Sequence, residues 1–209
     1  AEGASIWMQY MTAYGALVHY GQVGEGSVVL ITAASSSVGL AAIQIVKAAG
    51  GIAIATTRGP GKKQALLDAG ADSVIVTDEE SLAERVMEVT DGAGANIVFD
   101  PVVGPTLTDL AEAAAKGATI YVYGALSPEP ATYPLLAALG KGLSIRGYVL
   151  FEITGDPEGM KQAKSFVYDG LAAGDLKPIV ARTFPLDEIV EAHRYMESNQ
   201  QIGKIVVLT

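Results

Sequence analysis

The chain has 209 residues, half of them hydrophobic, a formal net charge of −9 and no cysteine. An acidic chain without a basic stripe is a poor match for general nucleic-acid binding, and the missing thiols exclude disulfides and thiolate metal sites. The apolar share suffices for a sizeable core, while Gly, Gln, Lys and Ser interrupt every apolar run short of a membrane span, so a cytoplasmic protein with neither nucleic-acid nor membrane partners is expected.

Taken in chain order, residues 4–20 (ASIWMQYMTAYGALVHY) read as a largely apolar helix. Residues 28–32 are a continuous apolar, β-branched run, as expected of a strand buried on both faces. Residues 33–37 are all small, 38–49 carry apolar residues at helical spacing, and Gly50-Gly51 stops that helix. Residues 52–56 form a second buried strand. This is a βαβ unit whose first turn is stripped of bulk. Such a turn lets a pyrophosphate rest on the N-terminus of the following helix, where free N–H groups and the helix dipole favour an anion. Strand and helix signals then keep alternating: a helix at 62–69, a strand at 73–76, a helix at 79–89, a strand at 96–100, a helix at 106–115, and strands at 118–124 and 143–150. Six strands separated by helices or crossings predict an α/β fold, a Rossmann-type doubly wound parallel sheet. A helix at 158–173 follows, and 179–184, 186–198 and 204–208 make a C-terminal β-α-β tail.

The first turn departs from the ideal dinucleotide fingerprint. G-x-G-x-x-G needs glycines at 34, 36 and 39, and the chain has Ala34, Ser36 and Gly39. The surviving glycine is the one required for close helix–sheet packing. Ser36 could donate a hydroxyl hydrogen bond to a phosphate, as could Ser35 and Ser37; Ser35 or Ser36 could equally be a plain helix N-cap, and both roles can coexist. An NAD site calls for Asp or Glu about 20 residues after the turn. Here strand two ends in Thr56-Thr57-Arg58, followed by Lys62-Lys63, with no carboxylate between Gly51 and Asp68. Cations there suit a ribose 2′-phosphate and favour NADPH over NADH; a solvated basic loop is the plainer reading.

The run Thr12-Ala13-Tyr14-Gly15, the turn AASSSVG, the basic TTR…KK loop, LLDAGAD at 66–72, NIVFDPVVG at 96–104, GATIYVYG at 117–124 and GKIVVLT at 203–209 together resemble the medium-chain dehydrogenase/reductase superfamily, nearest its zinc-independent quinone oxidoreductase branch. The resemblance implies an NADPH-dependent enzyme that passes hydride to a small-molecule quinone or α,β-unsaturated carbonyl. It places cofactor contacts on Thr12, Ser36, Ser37, Val38, Gly39, Arg58, Lys62, Gly124 and Ala125; a Tyr that the family often carries after the third strand is Thr77 here. In that family a GroES-like substrate domain precedes this region. Residues 1–175 are then the cofactor-binding domain with its leading helix, 176–209 a C-terminal piece of the substrate domain, and the chain alone is expected to be inactive. A non-catalytic NADPH-binding sensor or interaction module, and the enoyl-reductase segment of a multidomain synthase, are the alternatives.

No metal site is expected. The position at which zinc members place a Cys falls near Met8, and His19 and His193 read as surface or satisfied helix residues. None of the nine tyrosines has Lys four residues on, which disfavours a short-chain dehydrogenase, and Arg58 stands where a methyltransferase would want an acid. Tyr10 and Tyr14 read either as cleft-lining or as core, Asp100 either as a ribose contact or as a turn residue, and no catalytic set is identified. The 143–150 strand should lie at the sheet edge, and similar proteins dimerise there, so a homodimer with a continuous sheet is expected.

Overall fold

A computed structural model describes residues 1–209. Helix α1 (Trp7–Tyr14) follows a short 3₁₀ turn and runs on into a π-helical stretch, Gly15–Tyr20. Then come β1 (Val28–Ile31), α2 (Ser37–Ala48), β2 (Ile52–Thr57), α3 (Lys63–Asp68), β3 (Ser73–Val76), α4 (Leu82–Val89) and β4 (Ala95–Asp100). The second half has α5 (Thr106–Ala113), β5 (Ala114–Val122), α6 (Leu135–Lys141), β6 (Ser144–Gly147), α7 (Phe151–Thr154) and α8 (Pro157–Ala173). The tail is β7 (Val180–Pro185), α9 (Ile189–Glu197) and β8 (Lys204–Leu208).

Six strands form one parallel sheet in the order β3-β2-β1-β4-β5-β6, with the strand order reversing between β1 and β4. This is the doubly wound α/β arrangement expected from the alternating pattern. Strand side chains alternate between two cores. Val29, Ile31 and Phe99 enter the larger one, beneath α1, α2 and α8; Leu30, Ile54 and Val98 enter the other, beneath α4 and α5. Both faces are covered, which is why the β1 and β2 sequences are continuously apolar rather than alternating.

Gly15 lets α1 approach the sheet: a Cβ there would fall 2.0 Å from the Tyr148 hydroxyl oxygen. Tyr148 lies just beyond β6, buried, with its hydroxyl 3.5 Å from the Met11 carbonyl. Helix α8 clamps α1 from outside through Trp7 against Tyr168 and Tyr14 against Phe166, with ring centroids 5.2 and 5.0 Å apart. Its start is fixed by Asp156, which accepts the Gly159 N–H at 2.7 Å, and by Pro157 in the first turn.

Several boundaries differ from those expected. The acidic stretch before α4 is not helical, because Glu80 instead accepts the Val76 N–H at the end of β3. β5 begins at Ala114 instead of 118: Ala95 pairs with Ala114, and the register then shifts so that Ile97 faces Thr119. The 143–150 strand is confined to Ser144–Gly147, since Tyr148 turns inward and α7 begins at Phe151. Helices α6 and α7 had no sequence signal; α6 buries only the small Ala137 and Ala138 and exposes Leu135, Leu136 and Leu139, so its large apolar residues do not mark the inward face.

The β-α-β tail forms its own two-stranded parallel sheet, β7 with β8. One bridge, Ser36 with Gly203, joins it to the turn after β1.

Candidate functional site

The turn after β1 sits at the carboxyl ends of the strands, at the reversal of strand order, which is where such sheets bind ligands. Ala33 turns the chain with a φ of +46°, a left-handed conformation uncommon for a residue with a Cβ. Gly39 then packs directly on the turn: a Cβ would lie 2.5 Å from Ala34 Cα and 2.7 Å from the Ala33 oxygen. Ser36 is the N-cap of α2, its Oγ accepting the Gly39 N–H at 3.0 Å. Of the first two helical N–H groups, that of Val38 finds no acceptor within the chain, whereas the parallel bridge between Ser36 and Gly203 turns that of Ser37 toward the Gly203 carbonyl. All four residues from Ser35 to Val38 are half-buried. The result is a helix N-terminus with a free donor at Val38 and hydroxyls at its rim, a cradle suited to an anion.

Arg58 and Lys62 stand beside this turn. Arg58 is exposed and joins no ion pair. Lys62 is half-buried, and its ammonium donates to Ser35 Oγ at 3.1 Å and to the Gln201 carbonyl at 2.9 Å. Burial, and then the neighbouring Arg58 guanidinium, hold its pKa below the usual lysine range. Lys63 points elsewhere, toward Glu80 at 4.0 Å.

On the other side of the strand reversal, Asp100 ends β4 fully buried. Its carboxylate accepts the Thr32 hydroxyl and the N–H groups of Val102 and Val103, at 3.0 and 2.8 Å. It is thus a turn residue that ties the ends of β1 and β4 together. Gly124 follows β5 and abuts the loop after β4: a Cβ would come within 3.0 Å of the Pro101 carbonyl. Ala125 beside it is exposed. The Tyr123 hydroxyl is buried without a hydrogen-bond partner, and burial, with Asp100 nearby, raises its pKa.

Of the residues singled out in the sequence, the structure therefore brings together Ser36, Ser37, Val38, Gly39 and Lys62, with Arg58 at the edge. Gly124 and Ala125 lie across the strand reversal. Thr12 belongs to α1, where its hydroxyl donates to the Met8 carbonyl at 2.6 Å. Tyr10 and Tyr14 are core residues; the Tyr10 hydroxyl donates to Gln44 at 2.8 Å, and burial pushes its pKa up to about 12. His19 and His193 are exposed. Sequence reasoning named Ser35 only as a phosphate donor or helix cap; it missed the contact of Ser35 with Lys62 and the approach of residues 201–203, which no spacing rule announces.

Residues 69–207 match the model of the zinc-binding dehydrogenase family, and the chain belongs to that family, within the medium-chain dehydrogenase/reductase superfamily. It is 28% identical to human quinone oxidoreductase over 213 residues, covering 99% of this chain and 62% of that protein. It is also 28% identical over 210 residues to a highly reducing polyketide synthase of Aspergillus luteorubrus, covering 98% of this chain and 7% of the synthase. Among solved structures, Escherichia coli quinone oxidoreductase complexed with NADPH superimposes with a TM-score of 0.91 at 27% identity, covering 99% of this chain and 64% of that one. The chain thus spans about three-fifths of the length of the quinone oxidoreductases it matches. Although the family description mentions zinc, no three His, Cys, Asp or Glu side chains converge in this chain to hold a metal.

Proposed function

We propose that this chain is the NADPH-binding portion of an oxidoreductase that passes hydride to a small-molecule quinone or α,β-unsaturated carbonyl. The observation that carries the reading is the N-terminus of α2, with its Val38 N–H free, set beside the carboxylate-free pair Arg58 and Lys62. That N–H and the rim hydroxyls suit a pyrophosphate, with Gly39 allowing the helix to approach and Ser36 holding its first turn. Arg58 and Lys62 suit the 2′-phosphate that distinguishes NADPH from NADH. Gly124 and Ala125, at the end of β5, and Thr12, on α1, are the contacts proposed for the nicotinamide half. When bound, NADPH supplies the hydride; the chain supplies placement and electrostatics. No step through a metal is part of this reading, and the protein is taken to be cytoplasmic.

In this reading residues 1–175 form the cofactor domain and 176–209 belong with a substrate domain of GroES-like type, which would complete the wall that excludes water and seats the hydride acceptor. A homodimer is proposed through the β6 edge: β6 ends the sheet, and Leu136, Leu139, Val149 and Phe151 are exposed around it.

A second reading, the enoyl-reductase segment of a multidomain synthase, draws on the likeness to the polyketide synthase. NADPH consumption by the full-length protein, assayed with a quinone and with a 2-enoyl thioester, tests both. Turnover of the quinone supports the first, turnover of the thioester alone the second, and no NADPH consumption with either overturns hydride transfer.

A further inference from the structure

Three segments distant in sequence meet at Lys62. The ammonium donates to Ser35 Oγ in the turn and to the Gln201 carbonyl in the C-terminal tail. The Gly203 N–H donates to the Ser35 carbonyl at 3.0 Å, and Ser36 and Gly203 form a parallel bridge. The path of the tail is fixed at this point. Gly203 has a φ of +102°, and a Cβ there would fall 2.5 Å from the Ile179 carbonyl oxygen. The next amide, Lys204 N–H, donates to that same carbonyl at 2.8 Å.

An ammonium has three donors and accepts nothing. Two donors of Lys62 are committed to neutral oxygens, and no carboxylate pairs with it. Its long side chain is therefore held in one place with its charge uncompensated and one proton free. A cation held in advance binds an anion with less ordering cost than a freely rotating one.

We propose that residues 201–203 are a positioning element of the cofactor site: with Ser35 they fix Lys62 so that its free N–H, beside Arg58, meets the adenosine 2′-phosphate, and they thereby set the preference for NADPH over NADH. The inference rests on the reading of the basic loop given under Proposed function. By linkage, the 2′-phosphate must in turn pin the tail.

Calorimetric titration with NADPH and NADH of the wild type, Lys62→Met, Ser35→Ala and Gly203→Ala tests it, together with hydrogen exchange over residues 199–205. Lys62→Met is expected to lower the NADPH:NADH affinity ratio by about tenfold, and Ser35→Ala by about threefold, the ratio being the readout in both. A merely structural role for Ser35 would move both affinities together. NADPH, and not NADH, should slow exchange of the Gly203 and Lys204 amides. Should Gly203→Ala fail to fold, Ser35→Ala and the exchange data decide. A ratio that collapses in Lys62→Met yet is unchanged in Ser35→Ala, with tail exchange indifferent to NADPH, overturns the positioning role and leaves the functional reading standing. An unchanged ratio in Lys62→Met overturns the inference as well. Failure of the wild type to bind either dinucleotide overturns both.

Discussion

At Gly39 a single hydrogen atom decides whether the turn can form. The atoms a Cβ would strike, 2.5 and 2.6 Å away, are the Cα and carbonyl oxygen of Ala34, and backbone cannot swing aside as a side chain can. Gly39→Ala is expected to destabilise the chain by about 2 kcal/mol or more and to abolish dinucleotide binding, as read by urea unfolding and calorimetry. Gly15 is constrained differently, because its obstacles are side-chain atoms, nearest the Tyr148 hydroxyl and then Ile153 Cγ1 and Tyr148 Cζ, both at 2.7 Å. Gly15→Ala should cost about 1–3 kcal/mol, and adding Tyr148→Phe should recover part of it; a double variant no better than the single one would contradict the contact. The two glycines also show what the sequence discloses. Gly39 is legible because its partners lie within one local fingerprint. The need for Gly15 is not, because Tyr148 reaches it from the far end of the sheet and no spacing rule links the two.

Among the elements, the buried strands were the most legible, since a strand covered on both faces must be apolar at every position. The helices covering the sheet were legible where one face is apolar. Helix α6 was not, because Leu136 is 84% exposed and Leu139 73% exposed, so its leucines mark an outer surface instead of a core. Phe151, at the start of α7, the element next after β6, is 78% exposed. Such apolar exposure around an edge strand is the expected signature of a buried interface in the assembled protein. Leu136→Lys combined with Phe151→Glu should give a monomeric mass by light scattering, with unfolding free energy changed by no more than about 0.5 kcal/mol, as for other exposed positions. A mass unchanged from a dimeric wild type would move the interface elsewhere.

For the molecule as a whole, the larger core is rich in tyrosine, and burial raises the pKa of Tyr10, Tyr123 and Tyr148. A phenol whose pKa is raised on folding resists ionisation in the native state while the unfolded chain ionises freely. Its contribution is therefore complete below the ordinary value of 10.0 and, for Tyr10, is lost as pH rises from there to about 12. The urea midpoint should fall across that window and fall less in Tyr10→Phe; an equal fall would exclude Tyr10 as a source. The site itself spans the whole chain in the same way. Its turn and basic loop could be read from residues 33–39 and 58–62, but the docking of Gly203 against Ser35 is a long-range pairing with no periodicity to announce it. The most direct test of the account is calorimetric titration of the chain with NADPH and with NADH at one salt concentration. The account predicts NADPH binding at least about tenfold tighter, a gap of about 1.4 kcal/mol, and loss of most of that gap in Arg58→Ala. Equal affinity of the wild type for the two dinucleotides would contradict it.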